Sequence, residues 1–308
     1  MHGIIPVILA GGEGNRLKPL SSETKPKQFL NLSQNNNDLS LLQETAKRAL
    51  DISEAKNVVV ISSDKYKDIT YQQLSEIHPD LCNNIILEPC SKNTAAAVTL
   101  AALHVAHNYT NPVFAVMPSD HYVENSQKLA SALKLSIAAA RRNNIVLFGI
   151  EPTRADSNYG YIIGSEDSVF SDLYKVNSFI EKPCGANLKL IMSYKQKWWN
   201  SGIFLMSTRA LFSELKKKNL DILKQASKAY NNKSLSTKGI LIDNYEYKNI
   251  KSISIDNAVI EESTNLLLKQ IDVGWKDLGS WQSVWEISQL EGKGSPLENF
   301  LDKIARVS

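Results

Sequence analysis

The sequence predicts an α/β fold: a mixed, mostly parallel sheet flanked by helices, with an inserted antiparallel layer. Three features carry that expectation. Short β-branched runs alternate with helical patterns through the first half, the rhythm changes to paired strand-like runs from about Asp156, and no Pro/Gly/Ser-rich linker or long repeat divides the chain. Taken in order, Ile4 to Ala10, Asn57 to Ile61, Ile85 to Leu87, Val113 to Met117 and Ile145 to Ile150 read as strands. Their near-continuous apolar character fits strands buried on both faces, as a parallel sheet requires. Between them, Leu39 to Asp51, Asn93 to Asn108 and Gln127 to Arg142 carry helical spacing. Tyr159 to Ile163 and Leu173 to Ile180 then read as an antiparallel pair joined by a polar turn at Gly164 to Ser168. A helical segment at Ala186 to Lys195 then leads into WWNSGIFLM and two Lys-rich helices up to Asn231, and this antiparallel part is expected to lie over the mouth of the sheet. The Asn-rich stretch at Gln34 to Asp38 is expected to form a surface turn. Residues 1–290 are expected to be one domain and 291–308 a short tail.

Composition excludes several classes of function. Of 308 residues, 35 are Lys or Arg and 32 Asp or Glu, a net charge of +3, with 43% hydrophobic and 22% charged positions. A folded protein with a sizeable core is expected, without the basic excess of a nucleic-acid or membrane-surface binder. Cys82, Cys90 and Cys184 form no CxxC pair, which fits neither a disulfide framework nor a zinc site and points to a reducing cytoplasm. The apolar start is too short for a signal or spanning segment, and no membrane association is expected.

In an open parallel sheet, ligands gather beyond the carboxyl ends of the strands, so the loops there carry the chemistry. After the first strand comes LAGGEGNRLKPLSSETKPKQFL. Gly11, Gly12 and Gly14 let backbone amides turn towards an anion, while Arg16, Lys25 and Lys27 add fixed positive charge. This reads as a phosphate cradle. Position 17 is Leu, so the dinucleotide fingerprint fails, and no GxxxxGK[ST] occurs. After the fourth strand, MPSDHYV offers Asp120 for Mg2+ between phosphates, and DVGWKDLGSW offers Asp277 as a second carboxylate if the turn folds back. For His121 a structural hydrogen-bonding role and a catalytic one both stay open, while His104 and His107 read as structural. NYGYI, FIEKP and WNSGIF set carboxylates, amides and glycines beside aromatics, as a sugar pocket requires.

Together with EPCSKNTAAAV, GIEPTRADSNYGYI and SIDNAVIE, these blocks resemble the mannose-1-phosphate guanylyltransferases, also called GDP-mannose pyrophosphorylases, in family order from about Ile4 to Trp285. The resemblance implies a Rossmann-like nucleotidyltransferase that uses Mg2+ to join GTP and α-D-mannose 1-phosphate into GDP-mannose and pyrophosphate. Gly11, Gly12, Gly14 and Arg16 would then hold the GTP phosphates, Arg16 and Lys27 would serve the reacting phosphates, and Asp120 and Asp277 would bind the metal. Glu88 and Asn93 would lie near guanine and ribose. Gly160, Glu181 and Asn200 would bind the mannose hydroxyls, with Lys182 near the sugar phosphate. Lys18, Lys92 and Ala96 depart from the family's usual Trp, Arg and Pro. The family's larger members continue into a small β-helical element or an isomerase domain, which the short tail here does not match, so isomerase activity is not expected. A homodimer is left open, as are a different sugar 1-phosphate and a catalytically silent nucleotide-binding role.

Overall fold

The computed structural model describes residues 3–14, 17–18, 20–32, 39–170 and 172–290. Arg16, the Asn-rich turn expected at 34–38 and the tail expected at 291–308 lie outside the described residues. The first half runs β1 (Ile4–Leu9), α1 (Leu41–Leu50), β2 (Val59–Ser63), α2 (Lys67–Ile77), β3 (Ile85–Glu88), α3 (Asn93–Asn108), β4 (Val113–Pro118), β5 (His121–Val123), α4 (Ser126–Arg141) and β6 (Ile145–Ile150). The second half runs β7 (Tyr161–Phe170), β8 (Leu173–Ile180), α5 (Gly185–Ser193), β9 (Lys197–Ser207), α6 (Thr208–Lys218), α7 (Leu220–Asn231), β10 (Ser234–Ser236), β11 (Gly239–Leu241), α8 (Asn244–Tyr247), β12 (Leu266–Gln270), β13 (Trp275–Asp277) and α9 (Trp281–Leu290).

Among the described residues the main sheet has the order β10-β11-β3-β2-β1-β4-β9-β6-β12-β8-β7. Pairing is parallel from β11 through β3, β2 and β1 to β4, and again between β6 and β12. The mostly parallel character expected from the sequence thus describes the first half. Beyond it, β9 runs antiparallel between β4 and β6, and the β7–β8 pair extends the far edge. The antiparallel part is therefore woven into the same sheet rather than laid across its mouth. β9 can take a central position because its IFLM stretch is apolar and buried at every residue from Ile203 to Met206.

One local expectation is corrected. Gly164 to Ser168 is not a turn but part of β7, which reaches Phe170 with register irregularities at Gly164 and Ser168. The last residues of β7 stand clear of the core, so nothing demands apolar alternation there, and an exposed polar strand looks like a turn in sequence.

The core lies on both faces of the sheet. Ile5 and Val7 pack with α3, α6 and α7, while Ile4 and Ile8 pack with α1 and α4. That alternation along one strand, apolar on either side, is why β1 is a continuous hydrophobic run. Helix starts are fixed locally: Ser40 and Gln43 form a reciprocal cap on α1, and Asn125 caps α4 through the Lys128 amide. Among the described residues β5 pairs with β13 alone, antiparallel, in a small second sheet whose register sets Asp277 opposite His121. Chain segments 150 residues apart thereby meet at the end of β4.

Candidate active site

The glycine loop after β1 is held from beneath. Gln28 is buried and donates through Nε2 to the carbonyl oxygens of Ala10, at 2.9 Å, and Gly12, at 2.7 Å. Gly14 has φ of +56°, and a Cβ there would stand 2.4 Å from the Lys27 nitrogen, so no other residue fits without moving the loop. Around Gly12 a Cβ would meet nothing within 4 Å, and the backbone faces open space. A cavity of about 350 Å³ opens there, lined by Gly11, Gly12, Gly14, Glu88, Asn93 and Asp120 among others. Asn93 starts α3 with φ of +65°, a conformation asparagine tolerates better than most residues.

Lys27 is the centre of the charged group. Its buried ammonium donates to Asp120 Oδ2 at 2.9 Å and to Asp277 Oδ1 at 3.1 Å, so the two carboxylates converge on one cation. Burial alone would lower the lysine pKa, but the two carboxylates outweigh it and raise it. For Asp120 burial also opposes the charge, and Lys27 followed by His121 holds the carboxyl down at about 2. His121 accepts from the Trp275 indole at Nδ1, 3.2 Å away, which leaves its proton on Nε2, 3.9 Å from both Asp120 and Asp277. Burial lowers the pKa of this imidazole, against the opposing pull of Asp120 and Asp277. The buried Arg48 fixes the same strand from behind by donating to the His121 carbonyl at 2.9 Å. The structural reading of His121 fits these contacts. His104 is likewise structural, bonded to Tyr230 and Asn84.

Two carboxylates sharing one small cation also fit a divalent ion. Magnesium takes hard oxygen donors, usually one or two carboxylates with the remainder from phosphates and water. Asp120 and Asp277 supply that set.

A second polar group lies beside the first. Gly160 lies directly against the Glu181 carboxylate: a Cβ there would meet Glu181 Oε2 at 2.5 Å, so that side chain would have to swing aside. Asn200 donates from its backbone to Gly160 at 2.8 Å and from Nδ2 to Asp256 Oδ1 at 3.0 Å, while Lys182 pairs with Glu181 at 3.1 Å. Asp256, in a π-turn, is pushed up to about 7 by burial and then by the Glu181 charge. Gly202 closes the gap between the groups: at φ of +70°, its Cβ position is 3.3 Å from Pro118 and 3.5 Å from His121. The sequence-predicted residues thus fall into two adjoining clusters, with Arg16 outside the described residues. Sequence reasoning missed Gln28, Asp256 and Tyr247, whose hydroxyl donates to Glu88 Oε1. The first two sit inside PKQFL and SIDNAVIE, where position in a block was the available signal.

The nucleotidyl transferase family matches residues 5–293 of this sequence. The chain belongs to that family. As a nucleotidyl transferase it is similar to the mannose-1-phosphate guanylyltransferase of Escherichia coli, with 38% identity over 95% of this chain and 63% of that protein. It is also similar to the mannose-1-phosphate guanylyltransferase RfbM of Salmonella typhimurium, with 38% identity over 96% of this chain and 60% of that protein. The chain therefore spans about 60% of the length of these curated relatives. Among solved structures, a Thermus thermophilus protein described as a mannose-1-phosphate geranyltransferase superposes with a TM-score of 0.81. It is 24% identical and covers 93% of this chain and 79% of its own, which shows a shared fold. No helix among the described residues is long and apolar enough to cross a membrane.

Proposed function

We propose that this nucleotidyl transferase moves GMP from GTP to α-D-mannose 1-phosphate, giving GDP-mannose and pyrophosphate. The observation that carries the reading is the Lys27 ammonium, shared by Asp120 and Asp277 where the glycine-lined cavity adjoins the Glu181–Asn200 cluster. Similarity to mannose-1-phosphate guanylyltransferases over nearly the whole chain supports the choice of substrates.

In the proposed reaction a phosphate oxygen of mannose 1-phosphate attacks the α-phosphorus of GTP. A new P–O bond forms as the bond to departing pyrophosphate breaks, so no protein nucleophile is required. Two anions must meet, and negative charge gathers on the leaving group. Lys27 neutralises part of that charge, the amides of Gly11, Gly12 and Gly14 receive phosphate oxygens, and Arg16 grips two of them. Asp120 and Asp277 would hold Mg2+, which supplies further neutralisation of the phosphates when bound. Glu88 and Asn93 serve base and ribose. Gly160 lets the sugar approach, Glu181 and Asn200 bond its hydroxyls, and Lys182 meets its phosphate. We take residues 1–290 as the working domain, acting in the cytoplasm without nucleic-acid or membrane partners.

Pyrophosphate release measured across GTP, ATP, dTTP and UTP, with mannose 1-phosphate and glucose 1-phosphate, tests base and sugar together. Fastest turnover with GTP and mannose 1-phosphate is expected. Equal or faster turnover with another sugar phosphate, or binding without turnover, would replace the reading.

A further inference from the structure

Tyr247, the last residue of α8, is fully buried and donates its hydroxyl proton to Glu88 Oε1. The other oxygen, Oε2, stands against the glycine loop, where a Cβ at Gly11 would come within 2.6 Å of it. Glu88 and Gly11 line the same cavity, so one carboxylate oxygen is engaged by the protein and the other is turned to the ligand side. Among the described residues, the titratable and charged groups around Glu88 include Tyr247 on α8, Cys90 in the following turn, and Lys92 and Asp120 across the cavity. Burial pushes the Glu88 carboxyl up to about 7, against the opposing pull of the Tyr247 bond.

The proton on Glu88 decides which purine suits it. A carboxylate only accepts hydrogen bonds, and the Watson–Crick edge of guanine presents two adjacent N–H donors. With Oε1 held by the Tyr247 hydroxyl, a proton taken up by Glu88 sits on Oε2 and turns that oxygen into a donor, which suits the ring acceptor of adenine. We propose that Tyr247 is a positioning residue for base selection: by donating to Oε1 it favours the acceptor-only form of Glu88, so the cavity prefers guanine to adenine. The inference rests on the GTP reading above and adds to it the group that sets the choice.

Calorimetric titration of GTP and of ATP onto the wild-type chain and Tyr247→Phe, across a range of pH, tests it. The γ-phosphate titrates alike in both nucleotides, so the ratio of their Kd values isolates the base. In the wild type the preference for GTP rises with pH by up to about tenfold per unit between about pH 6 and pH 8. Tyr247→Phe removes a bond to a charged acceptor, so the preference falls by about tenfold at each pH while keeping its slope. A Tyr247→Phe preference within about twofold of wild type, or a wild-type preference flat across that range, overturns the inference, and the second result needs no variant to fold. Either outcome leaves the proposed reaction standing if pyrophosphate is still released. A pH-dependent preference without any turnover upholds the inference and overturns the reaction.

Discussion

The two halves of the site handle charge in opposite ways. At the proposed nucleotide end, the Lys27 ammonium lies between Asp120 and Asp277, and the loop beside it offers backbone amides rather than side chains. At the proposed sugar end, burial and then the Glu181 charge drive Asp256 up to about 7, against the pull of its backbone hydrogen bond, Lys182 and Asn200. In the reading proposed above, the end that receives phosphates draws two of its carboxylates onto one ammonium, and the end that receives hydroxyl groups holds carboxyls able to accept from them.

The largest effect expected from that contrast is at Lys27. Lys27→Ala removes charge from the reacting phosphates and leaves Asp120 and Asp277 to repel each other, so kcat/KM should fall by about 10³-fold or more. A coupled pyrophosphate assay reads this, and a loss under about tenfold would show the ammonium to be remote from the chemistry. Next comes Asp120→Asn, with an expected loss of about 10²-fold and a higher Mg2+ concentration for half-maximal rate. An unchanged Mg2+ titration would remove this residue from the metal site. Gly160→Ala should act on one substrate alone: the new methyl displaces Glu181, and KM for mannose 1-phosphate rises about tenfold while KM for GTP holds. Parallel rises in both would mean that the two clusters do not work separately.

The smallest effect is on stability and sharpens the contrast by its sign. The Asp256 carboxyl titrates near 7 in the folded chain against an ordinary value of 3.8, so the native state binds the extra proton between those values. Stability from this group is present at low pH and is lost as pH rises through about 7. Asp256→Asn should therefore raise the thermal midpoint by about 2 °C above pH 8 and leave it unchanged near pH 4. A midpoint that falls at high pH would show that the carboxylate is stabilised where it sits.

Much of this was legible in the chain, and the limits have physical causes. The β-branched runs located β1 to β4 and β6, because strands buried on both faces announce themselves. The glycine loop, Lys27 and Asp120 were legible since strand-end loops of a parallel sheet concentrate polar chemistry. The partnership of Asp120 with Asp277 came from the family resemblance and not from spacing, because it depends on β5 pairing with β13, and pairing across about 150 residues leaves no periodic trace. Strand order was hidden for the same reason, so β9 was expected over the sheet rather than within it. Asp256 and Tyr247 are single letters whose roles come from burial beside Glu181 and Glu88.

The position of β9 also bears on how the chain reaches its native form. β4 and β6 are complete by Ile150, yet the strand that joins them ends at Ser207. During synthesis the two halves of the sheet must wait, each with an open apolar edge, while more than fifty further residues leave the ribosome. Only the arrival of β9 closes that seam, and it brings Asn200 and Gly202 with it, so the strand that seals the middle of the sheet is also the one that joins the two polar clusters.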